Sequence, residues 1–414
     1  MASPTTSSPS SSSQAALSAL ELRVLAAIDR RERDLLEDLR LHVGLPTGGD
    51  GPALDEERGI FAERLKKLGA AIELVPGDPR PQWLGAGARA VPPTLVARRL
   101  AGKRGNKVLL SGHLDTVHDP NSSFRKLEVA PDGRTATGPG CVDMKGGLVI
   151  AMAALEALAE AGVEVAWSFI LNSDEETGSY HSDRTLQRVA GEHNYGIALE
   201  PALPDGSLVI ERPGSGQFVV ETVGKSAHVG RDFKSGVSAI NAMGGILQRV
   251  AALPDQDLGL IVNIGVINGG TAANVVPDHC RALGNVRVFN TKAAEHVMRE
   301  LRALETPADA LPRVKVQASL NRPAKPLTPQ VEAFALMARK AAEDLGQSLP
   351  FGKTGGVCDG NNLQAGGLAT IDTLGVRGGG LHTPEEWIDV SSLVERGRLL
   401  ALLLTRLHEH GSTS

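Results

Sequence analysis

The sequence predicts an α/β protein in which a mostly parallel, mixed sheet is flanked by helices and interrupted by an α+β insert. Three observations carry that expectation. Near-continuous apolar runs such as KVLLSG (107–112) and VAWSFILNS (165–173) alternate with helical stretches, as strands covered on both faces require. From about Pro213 the pattern changes to strands that alternate apolar and polar residues, the mark of a sheet with one wet face. The length, 414 residues, exceeds what one hydrophobic core usually serves, so two units are expected.

The elements follow in order. Segment 1–14 is Ser-rich and reads as a disordered tail. Stretches 15–41 and 55–68 are apolar at helical spacing. AIELVP (71–76) and TLVARRLAG (94–102) read as strands, and KVLLSG ends at His113. An Ala/Leu-rich helix spans 145–161, the strand 165–173 runs into Asp174-Glu175-Glu176, and a helix near 182–189 leads to the strand YGIALE (195–200). The second pattern holds QFVVETVGKS (217–226), a helix over 236–252, LIVNIGVING (260–269), HCRALGNVRVF (279–289), a helix over 291–304 and VKVQASL (314–320). The chain then returns with a helix over 328–345, the strand LATIDTL (368–374) and a C-terminal helix from Val390. The first unit is therefore 15–212 with 323–414, and 213–322 is the insert.

Composition excludes several classes. Hydrophobic residues make up 42% and charged residues 22%, with a net charge of −5 and both signs interspersed. No basic patch serves nucleic acid, and no apolar run suits a membrane span. Cys141, Cys280 and Cys358 form neither a disulfide framework nor a CxxC zinc pattern. The N-terminus lacks a signal peptide's basic and apolar regions, so a cytoplasmic protein is expected. GxSxG is absent, and GSG (214–216) is too short for a dinucleotide fingerprint.

The chemistry-bearing residues stand where strands end: SGHLDTV, GPGCVDMKGG, NSDEETGS, ALEPA and GLHTPEEW. They supply His113, Asp115, Asp143, Glu175, Glu176, Glu200 and His382. Open α/β sheets place their sites there. Imidazoles with several carboxylates suit a pair of divalent cations bridged by one carboxylate. Each motif also has a bland reading. His113 and Asp115 can be a polar loop pair, or Asp115 can receive the second ring N–H of His113 and orient it. Asp143 precedes a helix and can be its N-cap. Adjacent Glu175 and Glu176 can be a solvated turn, or one can bind a cation while the other takes a proton. Five strand-end placements together are hard to explain as solvated surface.

These motifs, in this order and spacing, resemble the M20 metallopeptidases, over roughly residues 30–408. The family includes glutamate carboxypeptidase, acetylornithine deacetylase and succinyl-diaminopimelate desuccinylase. The resemblance implies a zinc-peptidase-like domain with two zinc ions per subunit, cobalt or manganese being able to replace them. His113, Asp143 and Glu200 would hold one zinc; Asp143, Glu176 and His382 would hold the other. Asp115 would orient His113, Glu175 would be the general base, and the Asp143–Met144 peptide would be cis.

The same resemblance makes 213–322 a lid and dimerisation domain, with His228 reaching the active site of a second copy. Asn274, Arg287, Arg322 and Gly356 would meet a small-molecule or short-peptide substrate, the arginines through a carboxylate. Family members often carry a small hydroxyl residue where this chain has Cys358. Glutamate at position 200 suits the carboxypeptidase and deacylase branch. The implied reaction is release of a C-terminal amino acid from an N-acyl or peptidyl substrate, with N-acyl-amino-acid deacylation as the alternative. A catalytically silent binding protein on this fold is the rival of another class, and the full ligand set argues against it.

Overall fold

The computed structural model describes residues 17–49, 51–85, 91–100 and 105–411; the tail expected over 1–14 lies outside them. Helix α1 (Ala19–Asp29) opens with a reciprocal cap, in which the Ser18 hydroxyl accepts from the Glu21 amide and the Glu21 carboxylate accepts from the Ser18 amide. The single helix expected over 15–41 is two, because the chain turns at Arg30 and Arg31, whose guanidiniums both reach Glu160. Helices α2 (Glu32–Val43) and α3 (Pro52–Lys67) follow.

The main sheet contains β1 (Ala71–Val75), β2 (Thr94–Arg99), β3 (Lys107–His113), β4 (Ala166–Asn172), β5 (Tyr195–Ala198) and β10 (Ala369–Ile371), in the order β1-β2-β4-β3-β5-β10. The pairings β4–β3, β3–β5 and β5–β10 are parallel, whereas β1–β2 and β2–β4 are antiparallel, so the sheet is mixed. Every residue of β4, and all of β3 but Lys107, is buried, which is why neither strand alternates in sequence. On one face lies α4 (Gly146–Glu160), itself packed beneath α10 (Ser391–Gly411) and α1. On the other lie α5 (Asp183–Ala190) and α9 (Asp359–Ala365). Helix α8 (Pro329–Asp344) lines the β10 edge.

Residues between Gly214 and Arg322 build a second sheet with its own apolar core of Phe218, Val220, Met243, Val286 and Val297 among others. Its strands are β6 (Gly214–Val223), β7 (Leu260–Gly269), β8 (His279–Val288) and β9 (Arg313–Arg322), all antiparallel in the order β7-β8-β6-β9. Helices α6 (Ala239–Ala251) and α7 (Thr291–Arg302) supply the rest of that core. Among the described residues no helix is long and apolar enough to cross a membrane.

Some elements lie beyond sequence patterns. A small sheet joins Glu128–Val129, Thr135–Thr137, Gly378–Gly379 and Trp387–Asp389. Strands this short carry no period to read. β10 keeps three residues of the seven expected, because Thr373 turns the chain at φ 60°.

Helix α4 can start where it does only because Gly147 has no side chain. A Cβ there would stand 2.1 Å from the carbonyl oxygen of Leu199, just past β5. Helix propensity favours alanine over glycine by about 1 kcal/mol. Forcing backbone apart in a packed core costs about 1–3 kcal/mol, occasionally more. The steric term wins, so Gly147→Ala is expected to lower the urea midpoint of unfolding; a raised midpoint contradicts this packing.

Candidate metal centre

The site forms along the carboxyl ends of β3, β4 and β5. His113 ends β3, and its Nδ1–H donates to the carbonyl oxygen of Asp115 at 2.8 Å. The Asp115 carboxylate stands farther off, with Oδ1 at 3.5 Å. The peptide oxygen, rather than the carboxylate the sequence implied, is thus the nearer partner of the ring. Either way the tautomer is fixed and Nε2 is left to face the site. The Asp115 carboxylate instead accepts the backbone N–H groups of Glu175 (3.2 Å) and Glu176 (3.1 Å), which places both glutamates.

Asp143 sits in the turn Cys141–Lys145 ahead of α4, and its peptide bond to Met144 is cis, as the resemblance implies. The turn is pinned by Lys145, whose ammonium donates to the carbonyls of His42 (2.6 Å) and Leu45 (2.8 Å) at the end of α2. The two oxygens of Asp143 face two imidazoles. Oδ1 lies 3.3 Å from His113 Nε2, and Oδ2 lies 3.5 Å from His382 Nε2. His382 has φ 63° and also approaches Glu176 Oε2 at 3.3 Å.

Ligand atoms of His113, Asp143 and Glu200 lie within 4.8 Å of one another, and so do those of Asp143, Glu176 and His382. These are the two groups that the resemblance implies, sharing Asp143. The donor set fits a cation in each. Charge-assisted N–H···O bonds close to about 2.7–2.9 Å. Tetrahedral ligands about 2.0–2.2 Å from one zinc stand about 3.3–3.5 Å apart. The imidazole–carboxylate separations of 3.3–3.5 Å match the second geometry.

The electrostatics point the same way. Burial pushes the Glu175 carboxyl up to about 8, moves Glu200 well above the usual range and raises Glu176 as well. Burial would lower His113, but the Asp115 and Asp143 carboxylates outweigh it and hold the ring well above its ordinary value. His382 is raised to about 10 by Asp143 and Glu176. Burial would raise Asp143, yet the two imidazoles hold it well below the carboxylate range. The patch is short of positive charge, which divalent cations supply.

Other expected residues take different places. Arg322, expected against a substrate carboxylate, is turned onto Glu175: its Nη2 lies 2.7 Å from Oε1 and donates to the Glu175 carbonyl at 2.6 Å. Arg287 and Arg322 both stand opposite Ser215 in the second sheet, so they share a face across that small residue. Nη1 of Arg287 is buried with no hydrogen-bond partner. His228 and Asn274 are exposed on the neighbouring strand pair 227–228 with 275–276 and the turn before it. Gly356 is exposed, and a Cβ there would stand 3.6 Å from Arg212 Nη1.

Sequence reading missed Arg212, whose buried guanidinium holds Asp372 with Nη2 2.7 Å from Oδ1. Asp359, at the start of α9, accepts the Ser179 hydroxyl at 2.6 Å. Glu386, buried behind Asp143, was overlooked as well; the second acidic pair in LHTPEEW was its signal. Cys358 is a small buried residue capping α9.

A family model described as "Peptidase family M20/M25/M40" matches residues 109–406. Carboxypeptidase G2 of Pseudomonas sp. (strain RS-16) is 26% identical over 393 residues, covering 90% of this chain and 89% of that protein. Succinyl-diaminopimelate desuccinylase 2 of Shewanella loihica is 28% identical over 333 residues, covering 74% and 86%. A tripeptidase structure from Staphylococcus aureus superposes with a TM-score of 0.71 at 23% identity, covering 91% of this chain and 99% of that one. That last likeness speaks for the fold.

Stability of the chelated protein should fall as pH rises. Glu175 holds about 8 when folded against 4.5 ordinarily, so its stabilisation is complete below 4.5 and is lost as pH climbs toward 8. His382, at about 10 against 6.5, runs the same way at higher pH. Asp143 runs oppositely, but only in acid below its ordinary 3.8. The melting-temperature gap between cation-loaded and chelated protein is therefore expected to widen from about pH 5 to about pH 8. Scanning calorimetry that finds a constant gap contradicts this electrostatic account.

Proposed function

The chain belongs to peptidase family M20/M25/M40, and from that premise we propose that it is a di-zinc hydrolase releasing a C-terminal amino acid from an N-acyl or peptidyl substrate. Its homologues act on amide bonds, and that reaction class carries over with the family. The observation that carries the reading is Asp143 facing His113 with one oxygen and His382 with the other, beside the buried Glu175.

His113, Asp143 and Glu200 would hold one cation, and Asp143, Glu176 and His382 the second. Held there, the pair would lower the pKa of a water and polarise the scissile carbonyl. Glu175 would accept a proton from the attacking water and return it to the leaving amine. Burial raises its carboxyl while the Arg322 guanidinium pulls it back down, a balance suited to accepting and returning a proton near neutrality. Arg287, with an unengaged buried Nη1 on the same sheet face as Arg322, is suited to the substrate carboxylate. Similarity to carboxypeptidase G2 over nine-tenths of the chain favours this substrate class.

A second reading, deacylation of N-acyl amino acids, draws on the desuccinylase relative and uses the same groups. In either reading the segment 213–322 serves as lid and dimerisation domain, and His228 of a second copy stabilises the oxyanion.

Glu175→Gln is expected to lower kcat by about 10²–10⁴-fold while metal analysis still finds the wild-type cation content. Full activity in that variant removes Glu175 from the role of base. A hydrolysis screen of acyl glutamates, N-acetylornithine and N-succinyl-diaminopimelate separates the two substrate classes. Mixing Glu175→Gln with His228→Ala subunits should restore activity that neither homodimer has; no recovery means the site is not shared.

A further inference from the structure

We propose that Glu386 is the positioning residue of the metal centre, fixing Asp143 relative to His382 and thereby setting the affinity for both cations; the proposal rests on the two-cation reading above. Glu386 is 1% exposed. Its Oε1 accepts the backbone N–H groups of Val142 (2.9 Å) and Asp143 (3.0 Å). Its Oε2 accepts the Gly140 N–H at 3.0 Å and is hydrogen-bonded to His118 Nε2. An ionised carboxylate offers about four acceptor sites and no donor, and here four donors use them.

Those donors come from two other ligand segments. Gly140, Val142 and Asp143 belong to the turn that presents the shared ligand, and His118 follows the His113 strand end. Glu386 itself closes the loop that carries His382, where its amide donates to Thr383 O at 3.2 Å and its carbonyl accepts from Gly138 at 3.0 Å. One side chain thus joins three of the five segments, and it does so through the amide of Asp143 itself. A shift of Glu386 moves Asp143 and His382 against each other, which changes both candidate cation groups at once. Leaving such amides buried without an acceptor carries their full desolvation penalty, so the turn does not keep its shape when the acceptor is lost.

A merely structural role predicts something different, since it lowers stability without touching cation affinity. Glu386→Gln keeps the length but turns one oxygen into an NH2 group, which must face either the Val142 and Asp143 amides or that of Gly140. Competition with a chromophoric chelator is expected to show both dissociation constants raised by about 10- to 100-fold. Urea unfolding of the chelated variant gives the stability separately. Glu385→Gln, an exposed neighbour, should leave both constants unchanged. If Glu386→Gln does not fold, His118→Ala removes one of the four donors and should weaken both cations by several-fold.

Unchanged constants in a folded Glu386 or His118 variant overturn the proposal, as does a loss confined to one cation or an equal loss in Glu385→Gln. A wild-type chain that binds no cations sinks the two-cation reading as well; wild-type binding with an unaffected variant sinks only this one.

Discussion

Mutual repulsion among buried carboxylates is the constraint on which this molecule is organised. Asp143, Glu175 and Glu200 are buried and Glu176 is nearly so, all around one point at the end of the sheet. Desolvation alone would protonate most of them. Such a cluster stays ionised only with compensating charge, and the protein supplies part of it through His113, His382 and Arg322. The remainder matches two divalent ions. Fully buried strands, a glycine-opened helix start and the pinned turn at 141–145 all serve to bring these carboxylates within reach of one another.

Much of this was legible in the sequence because the relevant signals are local. Apolar runs ending in His, Asp or Glu place ligands at strand ends whatever the distant packing does. KVLLSG led to His113 and VAWSFILNS led to Glu175 and Glu176 because a buried strand cannot hide its length. The shift to alternating strands after Pro213 likewise reflects one wet sheet face, and the second sheet has that form.

What escaped the sequence depends on contacts between distant segments. Glu386 carries no pattern of its own in the sequence, and only its contacts with the turn at 140–143 reveal it. Arg322 reads as a partner for a substrate carboxylate, and only the folded end of β9 shows that Glu175 occupies it. His113 was paired in expectation with a carboxylate two residues on, but a peptide oxygen can come nearer than the side chain it carries. The strands at 128–129 and 378–379 have too few residues for any periodicity to exist.

Arg322 ends the last strand of the second sheet, yet its guanidinium rests on Glu175, which belongs to the first. The second sheet thus sets the proton affinity of a group beside the first: the guanidinium at the end of β9 draws down a carboxyl that burial alone would hold higher.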